Sequence, residues 1–523
     1  MRLKLILLLA FACLSLRGAD VPAVFSTNRT MRSLSLDECI RMALEHNLRI
    51  QIRRFDPDIN RYQYEASRGI YDPAFTFEYR RANETRGGSF DPVSGTTQSA
   101  SSSDQDRFTP GLSGVLPTGL QYSFGGRFTH NSGSQPEGQF ENYLADASVQ
   151  LEQPLLKNFW IDAGRTAIRI NRLNYQISEL ALEEEIRAVT RDVQLSYFEV
   201  LFAIEDVKVQ EKALELANKL ASDNNEKVKA GKLAPLDAKQ AEAQAATSLS
   251  DLIQAQRRVL AAENILKNLI TDDYQSWHKS GIEPTEKLIA VPERLDVTES
   301  WTAALNNRPD WKQLNMESEK LKLNKKFRWN QRLPEVGVFG GYGRSGVDNS
   351  TFGSTTNLGL PGAPVTGPHS ATFGSAIDDV YNGVNPRWNW GFGLRIPLSN
   401  YEERYRYRTA EEQVKQIDVQ LHKLRQDIIF DVDNAMDSVR ASFERVGATH
   451  QARLYAELAL DGGQKRLEAG VITSFEVLSL QKDLTTARSS EARALADYNE
   501  ALTALFYRDG TVLERNKISV KFK

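Results

Sequence analysis

Cysteine is nearly missing from this chain: among 523 residues only Cys13 and Cys39 carry a thiol. Cys39 alone lies beyond a leader-like start, so no internal disulfide is expected in the mature fold. Histidine is scarce as well. His46, His130, His278, His369, His422 and His450 stand without metal-ligand spacing, and neither HExxH nor CxxC occurs. No metal centre, cofactor site or catalytic constellation is therefore expected. Gly341-Tyr342-Gly343-Arg344-Ser345-Gly346 does satisfy GxGxxG behind a strand. Asp348-Asn349-Ser350-Thr351 follows where a phosphate-binding helix would have to open, so the motif reads as a strand running into a loop. A net charge of −3 argues against a polyanion partner such as nucleic acid. Beyond the leader no run of 18 apolar residues occurs, which excludes membrane-spanning helices. Only β-strands in a closed barrel then remain as a way across a bilayer.

Residues 1–23 have the form of an export signal. Arg2 and Lys4 precede an apolar stretch, Leu5 to Ala12, too short to span a bilayer. Cleavage after Ala19 and after Ala23 both fit, and Cys13 leaves a lipoprotein site open as a second reading.

The chain also carries a second copy of itself. Leu36-Asp37-Glu38 and Ala43-Leu44 are echoed 261 positions later by Val297-Thr298-Glu299 and Ala304-Leu305, in segments that run on through His46-Asn47 and Asn306-Asn307. Pro73 meets Pro334 at that offset, Pro154 meets Pro397 at 243, and Ala230-Gly231-Lys232-Leu233 meets Ala469-Gly470-Val471-Ile472 at 239. The offset changes mainly between the two prolines, so length varies inside a loop-bearing segment while the flanking elements stay in phase. Two structural repeats of about 240 residues are expected. They cover 35–271 and 294–507, with an equatorial connection over 272–293 and a tail over 508–523.

Each copy switches between two periods. Phe75, Phe77 and Tyr79 alternate with Thr76, Glu78 and Arg80, and Tyr143, Ala145, Ala147, Val149 and Leu151 alternate with polar neighbours. Copy two does the same with Val336, Val338 and Tyr342, then with Trp388, Trp390, Phe392, Leu394 and Ile396. Such strands suit a soluble sandwich, where a second sheet covers the apolar face, or an outer-membrane barrel, where lipid does. Polar stretches over 83–107 and 344–387 fit the long outer loops of a barrel. A further hairpin, Phe108 to Leu116 and Leu120 to Phe128 around Pro117-Thr118-Gly119, either joins that barrel or folds above it.

The helical period is longer-ranged. Ile186, Val189, Val193, Tyr197, Val200, Ile204, Val207 and Leu214 keep three-and-four spacing in a proline-free stretch, 158–228. Its counterpart, 400–468, must accommodate Gly447 and Gly462-Gly463. Each ends at a glycine turn, and shorter helices run back over 235–271 and 473–507. Two more helices, over 35–69 and 294–332, precede the strands. A return helix and one of these together roughly match a long helix, so each copy supplies about two columns.

With these pieces in this order, the chain resembles a TolC-family outer-membrane efflux protein over nearly all of its mature length. The duplicated opening, Pro154 and Pro397, and the two glycine turns carry the resemblance. It implies a mixed α and β membrane protein, in which long α-helical hairpins form a periplasmic α-barrel continued by an outer-membrane β-barrel. It also implies a homotrimer in outer-membrane lipid, a passive duct docked to a periplasmic adaptor and an inner-membrane transporter that supplies the energy. The resemblance makes Ala230, Gly231, Lys232, Leu233, Ala469, Gly470, Val471 and Ile472 candidate adaptor-docking tips. It makes Asp237 and Glu476 candidates for a periplasmic gate, as rings of acid in a trimer. An acid at a helix N-terminus is the competing reading of both. The family's second acidic layer is absent, since that position holds Ser479, and Leu467 and Ile472 stand where its tethering tyrosine and arginine would be. Two other classes compete with the channel: a periplasmic coiled-coil scaffold or adaptor, and an envelope hydrolase with helical arms. An adaptor calls for a single helical hairpin flanked by lipoyl-like strands, and a hydrolase calls for a constellation that is missing.

Overall fold

A computed structural model describes residues 29–98, 100–135, 138–231, 233–350 and 370–519. The expected leader with Cys13, and Lys232 of the first turn, lie outside the described residues. In chain order the first elements are β1 (Thr30–Leu34), α1 (Leu36–His46), α2 (Leu48–Ser67), β2 (Ala74–Arg86), β3 (Ser89–Asp91) and β4 (Thr96–Gln98). Then come β5 (Ser101–Val115), β6 (Gln121–Gln135), β7 (Gly138–Pro154), α3 (Ala163–Lys229), α4 (Pro235–Ile270), α5 (Tyr274–Trp277) and β8 (Ser280–Pro284). The remainder is α6 (Val297–Asn307), α7 (Pro309–Gln331), β9 (Glu335–Asn349), α8 (Phe373–Asn382), β10 (Asn385–Arg395), α9 (Tyr401–Glu468), α10 (Ser474–Arg508) and α11 (Val512–Arg515).

Two compact units divide the chain. One takes Met1–Arg54, Leu182–Pro309 and Arg425–Lys523, and the other takes Phe55–Ala181 and Asp310–Leu424.

The second unit holds a six-stranded sheet in the order β10-β9-β7-β6-β5-β2, antiparallel throughout. The hairpin lies inside the sheet, since β5 pairs β2 and β6 pairs β7. Much of the stretch expected as a loop over 83–107 is strand, because β2 continues to Arg86 and β5 starts at Ser101. The stretch 344–387 likewise contains α8, capped by the Thr372 hydroxyl, which accepts from Ser375 N at 3.3 Å. The GxGxxG motif lies wholly inside β9, so it leaves the strand later than expected. After β7 the backbone turns with positive φ at Asn158 (64°) and Trp160 (56°), and before α9 with positive φ at Asn400 (43°). Side-chain amides hold these corners: Asn330 Oδ1 accepts from Asn158 N at 2.8 Å, and Asn400 Nδ2 donates to Arg332 O at 3.1 Å.

The first unit is built on helices. Ile186, Val189, Val193, Tyr197 and Val200 of α3 are buried against Ile40, Ala43 and Ile50, Ala262, Leu266 and Ile270, and Ile282. The three-and-four spacing thus marks the buried face of α3, where burial of each aliphatic side chain contributes about 1.5–3 kcal/mol. A parallel pair of short strands, β1 and β8, closes this core.

The helices expected over 35–69 and 294–332 are each broken. α1 starts at a capping box of Ser35 and Glu38 and stops at Asn47, which has φ −64° and ψ 121°. Asn47 then restarts the chain, its Oδ1 accepting from Arg49 N at 2.9 Å while its Nδ2 donates to Leu269 O at 2.8 Å. α6 stops at Arg308, with φ −63° and ψ 123°. There the cause is Pro309, which disfavours helical ψ at the residue before it and suits the first position of α7. α3 and α9 run unbroken for 67 and 68 residues, roughly 100 Å each at about 1.5 Å per residue. Gly447 and Gly462-Gly463 are carried inside α9 without a break.

Candidate functional site

Cross-strand pairing decides which side chains share a face of the sheet. Phe75 is paired with Leu112, Leu112 with Phe124, Phe124 with Val149, Val149 with Tyr342, and Tyr342 with Trp388. One apolar face therefore crosses all six strands without interruption. A sandwich core would be dry, yet Phe77 is 62% exposed and Trp390 is 75% exposed. Phe75, Tyr79, Leu112, Phe124, Leu151, Val338, Tyr342, Phe392 and Leu394 on the same face are exposed as well. The opposite face carries Glu78, Arg80, Arg107, Arg127, Asp146 and Arg387, the last two ion-paired.

Toward one end the apolar face turns polar. Tyr79 Oη donates to Asp106 at 2.7 Å, His130 lies 3.0 Å from Glu141, and Tyr143 stacks on His130 with ring centroids 4.5 Å apart. α8 packs over this end, where a Cβ on Gly346 would collide with the Ala376 carbonyl. Its Ile377 and Tyr381, one helical turn apart, stay exposed.

The glycine turns belong to the helical unit. Gly231 (φ 67°) and Gly470 (φ 72°) both adopt the left-handed conformation that favours glycine. Gly231 N donates to Val228 O at 2.9 Å, and Val471 N donates to Arg466 O at 2.9 Å. Pro235 opens α4 at the first helical position, where its missing N–H costs nothing. Ala230, Gly231, Ala469, Gly470 and Val471 are exposed, with Leu236 and Phe475 beside them. Leu233 and Ile472 are half-buried, and Ile472 joins Leu467, Leu220, Leu460 and Val477 in a small core. Leu467 and Ile472 thus both pack as apolar side chains against that core. Lys465 pairs within its own helix, 2.6 Å from Asp461. The start of α10 is bound to α3: the buried Ser474 hydroxyl donates to Asn224 Oδ1 at 3.2 Å.

Asp237 and Glu476 both stand in the first turn of their helices. Glu476 is exposed. Its backbone N–H donates to the Thr473 hydroxyl at 3.3 Å, and that hydroxyl donates to its carboxylate at 3.3 Å. Asp237 is half-buried, beside a cap position, Ala234, that has no side-chain acceptor.

Sequence reasoning missed a polar seam between α3, α4 and α10. A cavity of about 460 Å³ lies there, lined by Asp206, Gln244, Thr247, Arg258, Ser489 and Arg493 among others. Buried Asp206 accepts from the Ser489 hydroxyl at 2.7 Å and pairs with Arg258 at 2.7 Å. Arg493 is shared by Glu199 (2.5 Å), Asp497 (2.6 Å) and Glu500 (3.4 Å). Burial pushes the Glu500 carboxyl up to about 7, with Arg493 opposing the shift and Glu199 and Asp497 adding to it. Polar residues at helical spacing look like an ordinary solvated face in sequence, so nothing marked these as partners. Among the described residues no group of three or more His, Cys, Asp or Glu is placed to hold a metal ion.

The outer membrane efflux protein family model matches residues 115–271 and 302–511, well over half of the chain. Outer membrane protein TolC of Salmonella enteritidis is 21% identical over 424 residues, covering 79% of this chain and 78% of that protein. Its counterpart from Escherichia coli K12 is 22% identical over 402 residues, covering 75% and 74%. Among solved structures, the outer membrane protein VceC of Vibrio cholerae shares the fold with a TM-score of 0.62 at 16% identity, covering 91% of this chain and 96% of that one. The matched residues take in β6, β7, β9 and β10 of the sheet, both long helices and both turns. The chain belongs to the outer membrane efflux protein family: it is an outer-membrane channel of efflux systems, a transport duct and not an enzyme.

Proposed function

We propose that three copies of this chain assemble into one conduit. The sheet unit forms an outer-membrane β-barrel, and the long hairpins form an α-barrel in the periplasm. One observation carries the reading: the apolar face that crosses all six strands is exposed, with Trp390 at 75%. In water such a face is an aggregation hazard, whereas in a bilayer it is the outside of a barrel.

Residues 35–271 and 294–507 then act as two structural repeats about the 272–293 connection, after a leader over 1–23 and before a tail over 508–523. Nearly equal dihedral angles at Asn47 and Arg308, 261 positions apart, support that duplication. The duct is passive, and an inner-membrane transporter supplies the energy through a periplasmic adaptor. The adaptor docks at the tips Ala230 to Leu233 and Ala469 to Ile472, a role supported by exposed Leu236, Val471 and Phe475. Asp237 and Glu476 form acidic rings at the periplasmic mouth. For Glu476 the Thr473 contact favours a second role, closing the first turn of α10.

Membrane fractionation tests the conduit. A heat-modifiable trimer in the outer-membrane fraction is the expected result, and a soluble periplasmic species would refute it.

A further inference from the structure

The two outer strands of the sheet pose a problem that a single chain does not solve. Among the described residues β2 pairs only with β5 and β10 only with β9, and both are exposed along almost their whole length. In hydrocarbon every backbone N–H and C=O needs a partner, so a sheet with two open edges does not persist there. Six strands are too few to close on themselves, since bacterial barrels start at about 8. The partner must be another copy.

We propose that β2 of one copy pairs with β10 of the next, so that three copies of the six-stranded sheet close a wall of eighteen strands. The inference rests on the trimeric conduit proposed above and adds its wall. Direction supports the seam. With six antiparallel strands in order, β2 and β10 run oppositely, so joining them continues the alternation around the ring. Facing supports it too: Phe75, Phe77 and Tyr79 lie on the same face as Trp388, Trp390 and Phe392. A β2–β10 seam therefore leaves the apolar band unbroken and sets aromatic residues side by side, an arrangement that favours strand pairing. A head-to-tail contact of this kind closes a ring when the rotation permits.

The β5–β6 hairpin supplies a third of that wall. It is registered on both sides, from Ala74 opposite Ser113 to Arg86 opposite Ser101, and from Gln121 opposite Glu152 to Ser134 opposite Gln139. Phe108, Leu112, Phe124 and Phe128 extend the lipid face across it. With strands about 4.8 Å apart and tilted about 40°, eighteen give a barrel roughly 36 Å across between backbones. Without the hairpin, three copies would give twelve strands and roughly 24 Å.

Electron cryo-microscopy of the full chain in lipid nanodiscs counts the strands directly. Eighteen, with three β2–β10 seams, is the expected result. Twelve strands with the hairpin folded outside the wall, or any other count, overturns the proposal while leaving the outer-membrane channel intact. A soluble particle without a barrel would defeat the channel reading itself. Cysteine pairs provide a second measurement: Thr76→Cys or Glu78→Cys on β2, combined with Asn389→Cys or Gly391→Cys on β10. Oxidation should shift the monomer band into covalent trimer for at least one pair and for none of the single variants. Cross-links confined to one chain across all four pairs would overturn the seam.

Discussion

Glu500 is where a single residue carries a pH dependence. Its carboxyl, raised by burial from an ordinary value of 4.5 to about 7, competes with Glu199 and Asp497 for Arg493, which Phe202 also faces. The folded state therefore holds a proton that the unfolded state releases between pH 4.5 and about 7. Stability should fall as pH rises through that window and flatten above it. Glu500→Gln should remove the fall, which thermal unfolding in detergent at pH 5 and pH 8 would check. The acids proposed for the gate make a separate test. Asp237→Asn with Glu476→Gln should lower cation selectivity in planar bilayers, and an unchanged reversal potential would leave these acids only a helix-terminal role. Gly231 and Gly470 were legible because a left-handed turn between helices favours glycine. Glu500, Arg493 and Asp206 were not, because their spacing is that of any polar helix face, and Glu199 lies 294 positions from Arg493 and Ser489 lies 283 from Asp206.

At the scale of elements, the helix starts and stops follow local chemistry. Thr473→Ala should cost about 1 kcal/mol at the start of α10 by removing the acceptor for Glu476 N. Faster amide exchange confined to the first turn of α10 would register it. The breaks at Asn47 and Arg308 escaped the periodicity, which persists across them, but their causes were in the sequence: a capping asparagine and a proline one residue on. α8 was hidden differently. It lies inside a stretch rich in Gly, Ser, Thr and Pro, and its Thr372 cap and Gly383 stop signal look like loop chemistry until Ala376 is seen against Gly346. The strands were legible by alternation. The place of the β5–β6 hairpin was not, since alternation gives faces and no neighbours.

For the molecule as a whole, the decisive property is which solvent wets the sheet. Trp390→Arg should block assembly of a heat-stable oligomer, since arginine on a lipid-facing strand costs about 2–4 kcal/mol near mid-bilayer. Gel mobility with and without heating reads this out, and a normal oligomer would argue that position 390 never meets lipid. The family was legible in the order of elements, because strands, a long helix, a glycine turn and a return helix, each met twice along the chain, leave few alternatives. The Ser474–Asn224 contact carries one more consequence. It fastens α10 to the far end of α3 across a core that also includes Leu220, Leu460 and Val477. In the proposed trimer the paired hairpins of one copy would then swing as a single jaw, and dilation of the inner aperture would be taken up by sliding between neighbouring copies.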